Sequence, residues 1–355
     1  MSKSKQLKLI QVFRGIAALL VVLVHGDLIF NQNLNRDFLF DIFAFGGSGV
    51  DFFFVLSGFI IFYIHKKDIQ NPSRLKSFVL KRLVRIYPIY WVVLTGKLIA
   101  SFMFDYSSTH QGSFGEIIKA FILFPQDREI LSSSFIGVSW TLTFEVFFYI
   151  LFSFLIWVKP KLLVPSITVW ILATLLTFFG FISFPEDQAT IQLVFNELNL
   201  EFILGCLAAY ILSRHKINHG LYLICLGCFL YTISAINTNY GLVSVSDVIA
   251  FGIPSTILII GSVSLELSKN IDVNPLLMIL GDASYSIYLI HGFVMNNSTK
   301  ILVNNLGLKI FLANSITLSI FAIFNAVIAV AVGCIVYFYI EKPIISRLRP
   351  LLVKN

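Results

Sequence analysis

The sequence predicts an all-α integral membrane protein of about ten transmembrane helices with both termini cytoplasmic, on three observations. Of the 355 residues 57% are hydrophobic and 13% charged, with a mean hydropathy of +0.86, whereas a soluble domain carries about a quarter of its residues as Asp, Glu, Lys and Arg. The apolar residues fall in runs of about 20, the length an α-helix needs to cross roughly 30 Å of hydrocarbon. The basic residues gather beside the ends of alternate runs, as they do where loops face the cytoplasm.

In chain order the spans lie near 9–30, 48–65, 83–104, 139–157, 162–183, 195–213, 219–237, 247–267, 275–297 and 313–340, separated by Pro, Gly, Asn and charge. The first follows a basic start, "MSKSKQLKLIQVFRG", and no small-residue cleavage site follows it, so it reads as an uncleaved span. With the N-terminus inside, about 20 of the 26 Lys and Arg fall on the cytoplasmic side, about five outside and one, Lys97, within a span. That topology accounts for the net charge of +7 without nucleic acid.

The outside segments are the acidic ones, with Asp37, Asp41, Asp105, Asp127, Glu129, Glu186 and Asp187. In the long outside loop 105–138, "GEIIKAFILF" reads as a short interfacial or re-entrant helix. Cys206, Cys225, Cys228 and Cys334 all lie in apolar runs, without the spacing of zinc-knuckle pairs, and read as buried small hydrophobes. There is no internal repeat, low-complexity tract or appended soluble domain. One membrane domain over 1–355, with no metal site and no tightly bound cofactor, is the expectation.

Ionisable groups inside spans are costly unless paired or facing water, and each is a functional candidate. Counted from the outer ends of their spans, His25, Asp51, Lys97, Glu145 and His291 all fall within the outermost ~11 Å, which suggests one shared polar chamber. Structural roles stay open for three of them. Asp51 suits a helix cap after "GGSG", Lys97 a snorkelling side chain, and His291 a hydrogen-bonded core position.

A second set marks the cytoplasmic end: Arg14 in span 1, and Arg82 and Arg85 on one face of the third span in "KRLVRIYPIYW". Positive-inside anchoring with an aromatic belt of Tyr87, Tyr90 and Trp91 is the competing reading. Eleven helical residues separate Arg14 from His25, leaving them about 20° apart around the axis and about 16 Å apart along it. The pair therefore looks along one passage from opposite ends. Arginine suits phosphate and histidine suits proton transfer, so a long ligand with an anionic head and a reactive tip, such as an acyl-CoA, fits the passage.

"RGIAALLVVLVHG", "GGSGVDFFFVLSGFI", "RLVRIYPIYW", "SWTLTFEVFFY", "GDASYSIYLIH" and "YIEKP", in this order over essentially the whole chain, resemble the membrane-bound acyltransferase-3 family of bacterial glycan O-acyltransferases. The resemblance implies an inner-membrane enzyme of the cell envelope. Such an enzyme moves an acyl group, usually acetyl, from cytoplasmic acetyl-CoA as co-substrate to a hydroxyl of a surface glycan such as lipopolysaccharide, or of a lipid-linked saccharide. By the motif match His25 is the catalytic histidine with Arg14 as its partner. Arg82 and Arg85 match paired arginines for the CoA donor, and Asp51 and Glu145 fall on acidic motif positions. The expected chemistry is removal of the acceptor proton by His25, with Asp51 or Glu145 holding its other ring nitrogen or binding the sugar. An acyl-histidine intermediate is the variant mechanism. A transporter or flippase with a polar intramembrane site is the alternative function.

Overall fold

The computed structural model describes residues 7–35, 42–103, 113–185, 188–305 and 314–352. Asp37, Asp41, Asp105, Glu186 and Asp187 lie outside the described residues. Among the described residues all regular structure is helical, as a chain that must satisfy its backbone within hydrocarbon requires. The α-helices are α1 (Lys8–Leu34), α2 (Ser48–His65), α3 (Leu75–Met103), α4 (Phe114–Ile122), α5 (Arg128–Ser134), α6 (Ser139–Trp157) and α7 (Pro160–Phe178). They continue with α8 (Ala189–Phe195), α9 (Asn199–Arg214), α10 (Gly220–Tyr240), α11 (Ile253–Ser268), α12 (Pro275–Lys300), α13 (Ser315–Val336) and α14 (Lys342–Leu352). Among the described residues ten helical stretches are long and apolar enough to cross a membrane, matching the expected ten in order and position.

Several ends differ from the sequence reading, and the ends set depth. The first helix runs on to Leu34, so His25 lies nine residues from its end, about 14 Å. The third starts at Leu75, which puts Arg82 about 10 Å inside the helix instead of at its entrance. The sixth span is two helices, α8 and α9, with Asn199 filling the break: its Nδ2 donates to the carbonyls of Leu193, Val194 and Asn196 at 2.8, 3.2 and 3.0 Å. The last span passes from α13 through a π turn, Tyr337–Glu341, into α14.

Contacts divide the chain into two compact units, residues 1–56 with 207–338 and residues 57–206 with 339–355. In the first unit α1, α12 and α13 enclose a core in which small residues recur: Ala18, Ala283, Ala322 and Ala329 beside Val22, Phe30, Ile287 and Met295. Small side chains let helix backbones approach closely where lipid supplies no hydrophobic drive. The tightest approach is at Gly281, where a Cβ would overlap the Gln11 carbonyl, with Gly15 against Gly281 from the other side. Glu266 of α11, buried, accepts from the Lys8 backbone N–H at 2.8 Å and from that of Leu9, satisfying donors at the start of α1 that have no intrahelical partner. The second unit packs α3 on α6 through Phe78, Tyr149 and Phe152.

All four cysteines are free thiols, and the expectation that they are buried fails for Cys225 and Cys228. Cys225 and Cys228 are exposed and Cys206 and Cys334 only half-buried. The reason is that α10 packs on α11 along its glycines, Gly220 against Gly261 and Gly227 against Leu258, and turns its thiol face outward. In a membrane span that face meets lipid, which a small apolar thiol tolerates.

Candidate active site

In the first unit α1 and α12 run parallel, and three polar contacts follow their seam. Arg14 Nη2 donates to Ser284 Oγ at 3.0 Å, while its Nη1 donates to Gln11 Oε1 at 2.9 Å. Further along, the rings of His25 and His291 meet edge to face with centroids 4.8 Å apart. Beyond them Asn33 Nδ2 donates to Asn296 Oδ1 at 3.3 Å. The seam thus joins the Arg-x10-His motif to "GDASYSIYLIH".

The local bond of His25 decides its chemistry. Its Nδ1 lies 2.9 Å from the carbonyl of Val21, one turn back on the same helix. A carbonyl only accepts, so Nδ1 carries the proton and Nε2 is left as the basic atom of the neutral ring. The expectation that Asp51 or Glu145 holds the second ring nitrogen is corrected here, because the backbone of α1 already holds it. His291 repeats the pattern, with Nδ1 at 3.2 Å from the Ile287 carbonyl. Its side chain is fully buried and Nε2 has no hydrogen-bond partner.

Asp51 is buried in the first turn of α2, but not at the depth of His25. The start of α2 packs antiparallel along α1: Gly46 approaches Leu20, Gly49 approaches Ala17, and the Phe52 ring lies 6.1 Å from that of Phe13. Asp51 therefore sits level with the Arg14 end of the passage. The two-layer arrangement expected from span ends is wrong for this residue, because α2 starts deeper beside α1 than a common outer boundary would allow.

In the second unit the expected layers also merge. Glu145, half-buried, accepts on Oε1 from Ser57 Oγ at 3.3 Å and from the Tyr149 hydroxyl. The Tyr149 ring in turn lies 5.6 Å from the guanidinium carbon of Arg82, which is equally far from the Phe78 ring. Arg82 Nε is buried without a hydrogen-bond partner. Arg85, on the same helix face, forms an ion pair through Nη1 with Glu341 Oε1 at 2.8 Å, and the Glu341 side chain is fully buried. Lys97, half-buried, is about 22 Å further along α3 than Arg82, so it does not share the depth of Glu145.

Three partners escaped the sequence reading. Tyr149 stands four residues after Glu145 on the same helix face, a spacing that could have signalled it. Glu341 was visible as the acid of "YIEKP", and Ser284 as a small polar residue of the α12 motif, but neither has a local signal naming its partner.

No solved structure matches the chain. It is 28% identical over 313 residues to the exopolysaccharide production protein ExoZ of Rhizobium meliloti (strain 1021), covering 86% of this chain and 91% of that protein. It is also 33% identical over 82 residues to protein 2 in the picA locus of Rhizobium radiobacter, covering 23% of this chain and 38% of the other. The family model described as an acyltransferase domain matches residues 7–339. With that match spanning both units and every residue of the seam and of the Glu145 and Arg82 cluster, the chain belongs to the acyltransferase-3 family, as a multi-pass membrane acyltransferase.

Proposed function

We propose that the protein takes an acyl group, acetyl in the first instance, from acyl-CoA on the cytoplasmic side and transfers it to a hydroxyl of an extracytoplasmic glycan or lipid-linked saccharide. Both termini are cytoplasmic in this reading and the membrane is the bacterial inner membrane. The printed name of ExoZ turns the acceptor toward an exopolysaccharide rather than lipopolysaccharide. The observation that carries the reading is His25, whose Nδ1–H is tied to the Val21 carbonyl and whose Nε2 is thereby a base within α1.

In the transfer step Nε2 removes the proton of the acceptor hydroxyl while its oxygen bonds to the thioester carbon. The C–S bond then breaks, and the departing CoA sulfur takes the proton back from the imidazolium. A positioned base of this kind contributes typically ~10²–10⁴-fold. The Val21 carbonyl supports the cation while it exists. Arg14, about 16 Å below His25 along α1, and, in the second unit, Arg82 are each assigned to the CoA donor. Arg85, on the same face of α3, is assigned with Arg82 to the donor end. Asp51, at the depth of Arg14, belongs with the donor end. Glu145 positions Arg82 through Tyr149. His291 backs the His25 ring, and Lys97 faces the acceptor side.

The test uses purified protein in lipid nanodiscs with acetyl-CoA and de-O-acylated oligosaccharide from the host surface polysaccharide. Free CoA is followed with a thiol reagent and the saccharide by mass. Saccharide-dependent CoA release with a gain of one acetyl per transfer is expected, and its absence in the wild-type protein would exclude the reading. A transporter releases no CoA.

A further inference from the structure

Past the two histidines the seam of α1 and α12 carries two carboxamides whose orientation the neighbouring bonds fix. Asn33 Nδ2 has two hydrogens, and it gives one to the Ile29 carbonyl at 2.8 Å and the other to Asn296 Oδ1 at 3.3 Å. A carbonyl only accepts, so the Asn33 amide turns its nitrogen to Ile29 and its Oδ1 away. By the bond across the seam Asn296 presents its oxygen to Asn33 and keeps both hydrogens of Nδ2. Among the described residues neither Asn33 Oδ1 nor Asn296 Nδ2 has a hydrogen-bond partner. Both residues are half-buried, and neither atom is sealed from the surface.

Gly292, half-buried and one turn before Asn296 on the same face of α12, leaves room beside the pair. Four residues separate them, about 6 Å along the axis. Glycine weakens a helix interior, and at Gly281 of the same helix that cost has a reason, since a Cβ there would overlap the Gln11 carbonyl. A Cβ at Gly292 would meet nothing within 4 Å. No packing contact calls for glycine at this position, and its missing side chain leaves open space. Gly292 follows His291, whose ring lies 4.8 Å from that of His25, so the space begins at the level of the candidate base. Asn33 lies eight residues past His25, about 12 Å along α1.

We propose that the space over Gly292 is an acceptor subsite in which Asn33 and Asn296 bind two neighbouring hydroxyls of a saccharide whose accepting hydroxyl reaches His25. The proposal rests on the acyl-transfer reading for the identity of the acceptor. The atoms select the ligand: Asn33 Oδ1 accepts, Asn296 Nδ2 donates, and neither is charged. A vicinal diol supplies an O–H for the first and an oxygen for the second. The phosphates of CoA supply acceptors alone, and an acyl chain supplies neither. The bonds to Ile29 and across the seam hold both amides before the saccharide arrives, which lowers the ordering cost of recognition. Standing one to two turns beyond the histidines, the pair holds hydroxyls other than the reacting one and sets which part of the glycan meets Nε2.

The experiment compares wild type, Gly292→Leu, Gly292→Ala and Asn296→Asp, each as the full chain in nanodiscs. The probes are acetyl-CoA and the de-O-acylated oligosaccharide, and the readouts are direct saccharide binding, the KM of each substrate and the unfolding temperature. Gly292→Leu fills the space without a clash and is expected to weaken saccharide binding and raise its KM on the order of tenfold or more, with the unfolding temperature unchanged or higher. Gly292→Ala is expected to do the same to a smaller degree, which keeps the question answerable if the Leu variant folds poorly. Asn296→Asp keeps the oxygen that Asn33 bonds and removes the donor, and a rise of about tenfold in saccharide KM is expected, the scale of one hydrogen bond. The KM of acetyl-CoA is expected to stay within about twofold in all three. Saccharide binding and KM unchanged in the Gly292 and Asn296 variants would overturn the subsite and assign the open space to lipid. A loss with Gly292→Leu alone would overturn the role of the amides, and an equal rise in the KM of acetyl-CoA would give the space to the donor instead. Wild-type protein that releases no CoA yet binds saccharide in a Gly292- and Asn296-dependent way would sink the transfer reading and keep the subsite. Normal turnover with binding that no substitution changes would do the reverse.

Discussion

At the scale of single residues the decisive feature is a pair of imidazoles that each spend Nδ1–H on a carbonyl one turn back. In His25 this leaves Nε2 for the reaction, so His25→Ala is expected to lower acyl transfer by at least ~10²-fold, with expression and membrane insertion retained. Activity close to wild type would remove His25 as the base. His291 is different, because its Nε2 is buried without a partner. An unmet buried polar atom costs about 1–3 kcal/mol. His291→Phe keeps an aromatic edge against His25 and is expected to be as stable as the wild type or more stable by up to that amount, as measured by unfolding in detergent. A large destabilisation would mean that Nε2 has a partner in the membrane-embedded protein.

At the scale of helices, two contacts hold the candidate site in register. Gly281 lets α12 approach α1 at Gln11, three residues before Arg14. Gly281→Val adds volume at a backbone contact, which costs typically ~1–3 kcal/mol. Because the same seam carries Ser284 to Arg14 and His291 to His25, this variant is expected to lose activity along with stability, as measured by unfolding in detergent. The second contact is the ion pair of Arg85 with Glu341, which ties the π turn after α13 to α3. Glu341→Ala removes the carboxylate half of this pair. A fully buried pair broken this way costs ~3–5 kcal/mol, but the Arg85 side chain is 35% exposed and regains some hydration, so a loss of about 1–3 kcal/mol is expected. The double variant Arg85→Leu with Glu341→Leu should recover part of it. Failure of any recovery would show that Glu341 acts through contacts other than Arg85.

At the scale of the whole molecule the charge asymmetry and the proposed chemistry make one prediction each. In a background free of Cys206, Cys225, Cys228 and Cys334, Asn35→Cys is expected to react with an impermeant thiol reagent added outside intact cells, and Ser73→Cys only after the membrane is opened. The opposite pattern would invert the proposed topology and with it the donor side. Arg82→Gln is expected to raise the KM of acetyl-CoA about tenfold, the scale of one charge-assisted hydrogen bond, with kcat nearly unchanged. Lysine should rescue it only in part, since it lacks the planar fork. Raising acetyl-CoA should restore the rate in Arg82→Gln and not in His25→Ala.

Ten spans, their order and the all-helical class were legible from residue order alone. The length and polarity of an apolar run are local properties, and a bilayer converts them directly into helices. The short helix at "GEIIKAFILF" was legible for the same reason, since its cap and its amphipathic pattern lie within a dozen residues. Depth was not. Residue order counts Asp51 from the end of its own span, yet its level depends on where α2 lies along α1, and that is set by Gly46 and Gly49 meeting Leu20 and Ala17. In the same way Glu145 and Arg82, read as belonging to opposite surfaces, are joined through Tyr149 because α3 begins at Leu75 and passes α6 antiparallel. The bond from His25 to Val21 is local, one turn along α1, but the separation of Asp51 from His25 depended on where α2 lies along α1. Offsets between neighbouring helices arise from contacts hundreds of residues apart in the chain, such as Arg14 with Ser284 and Arg85 with Glu341, and no window of sequence contains both partners.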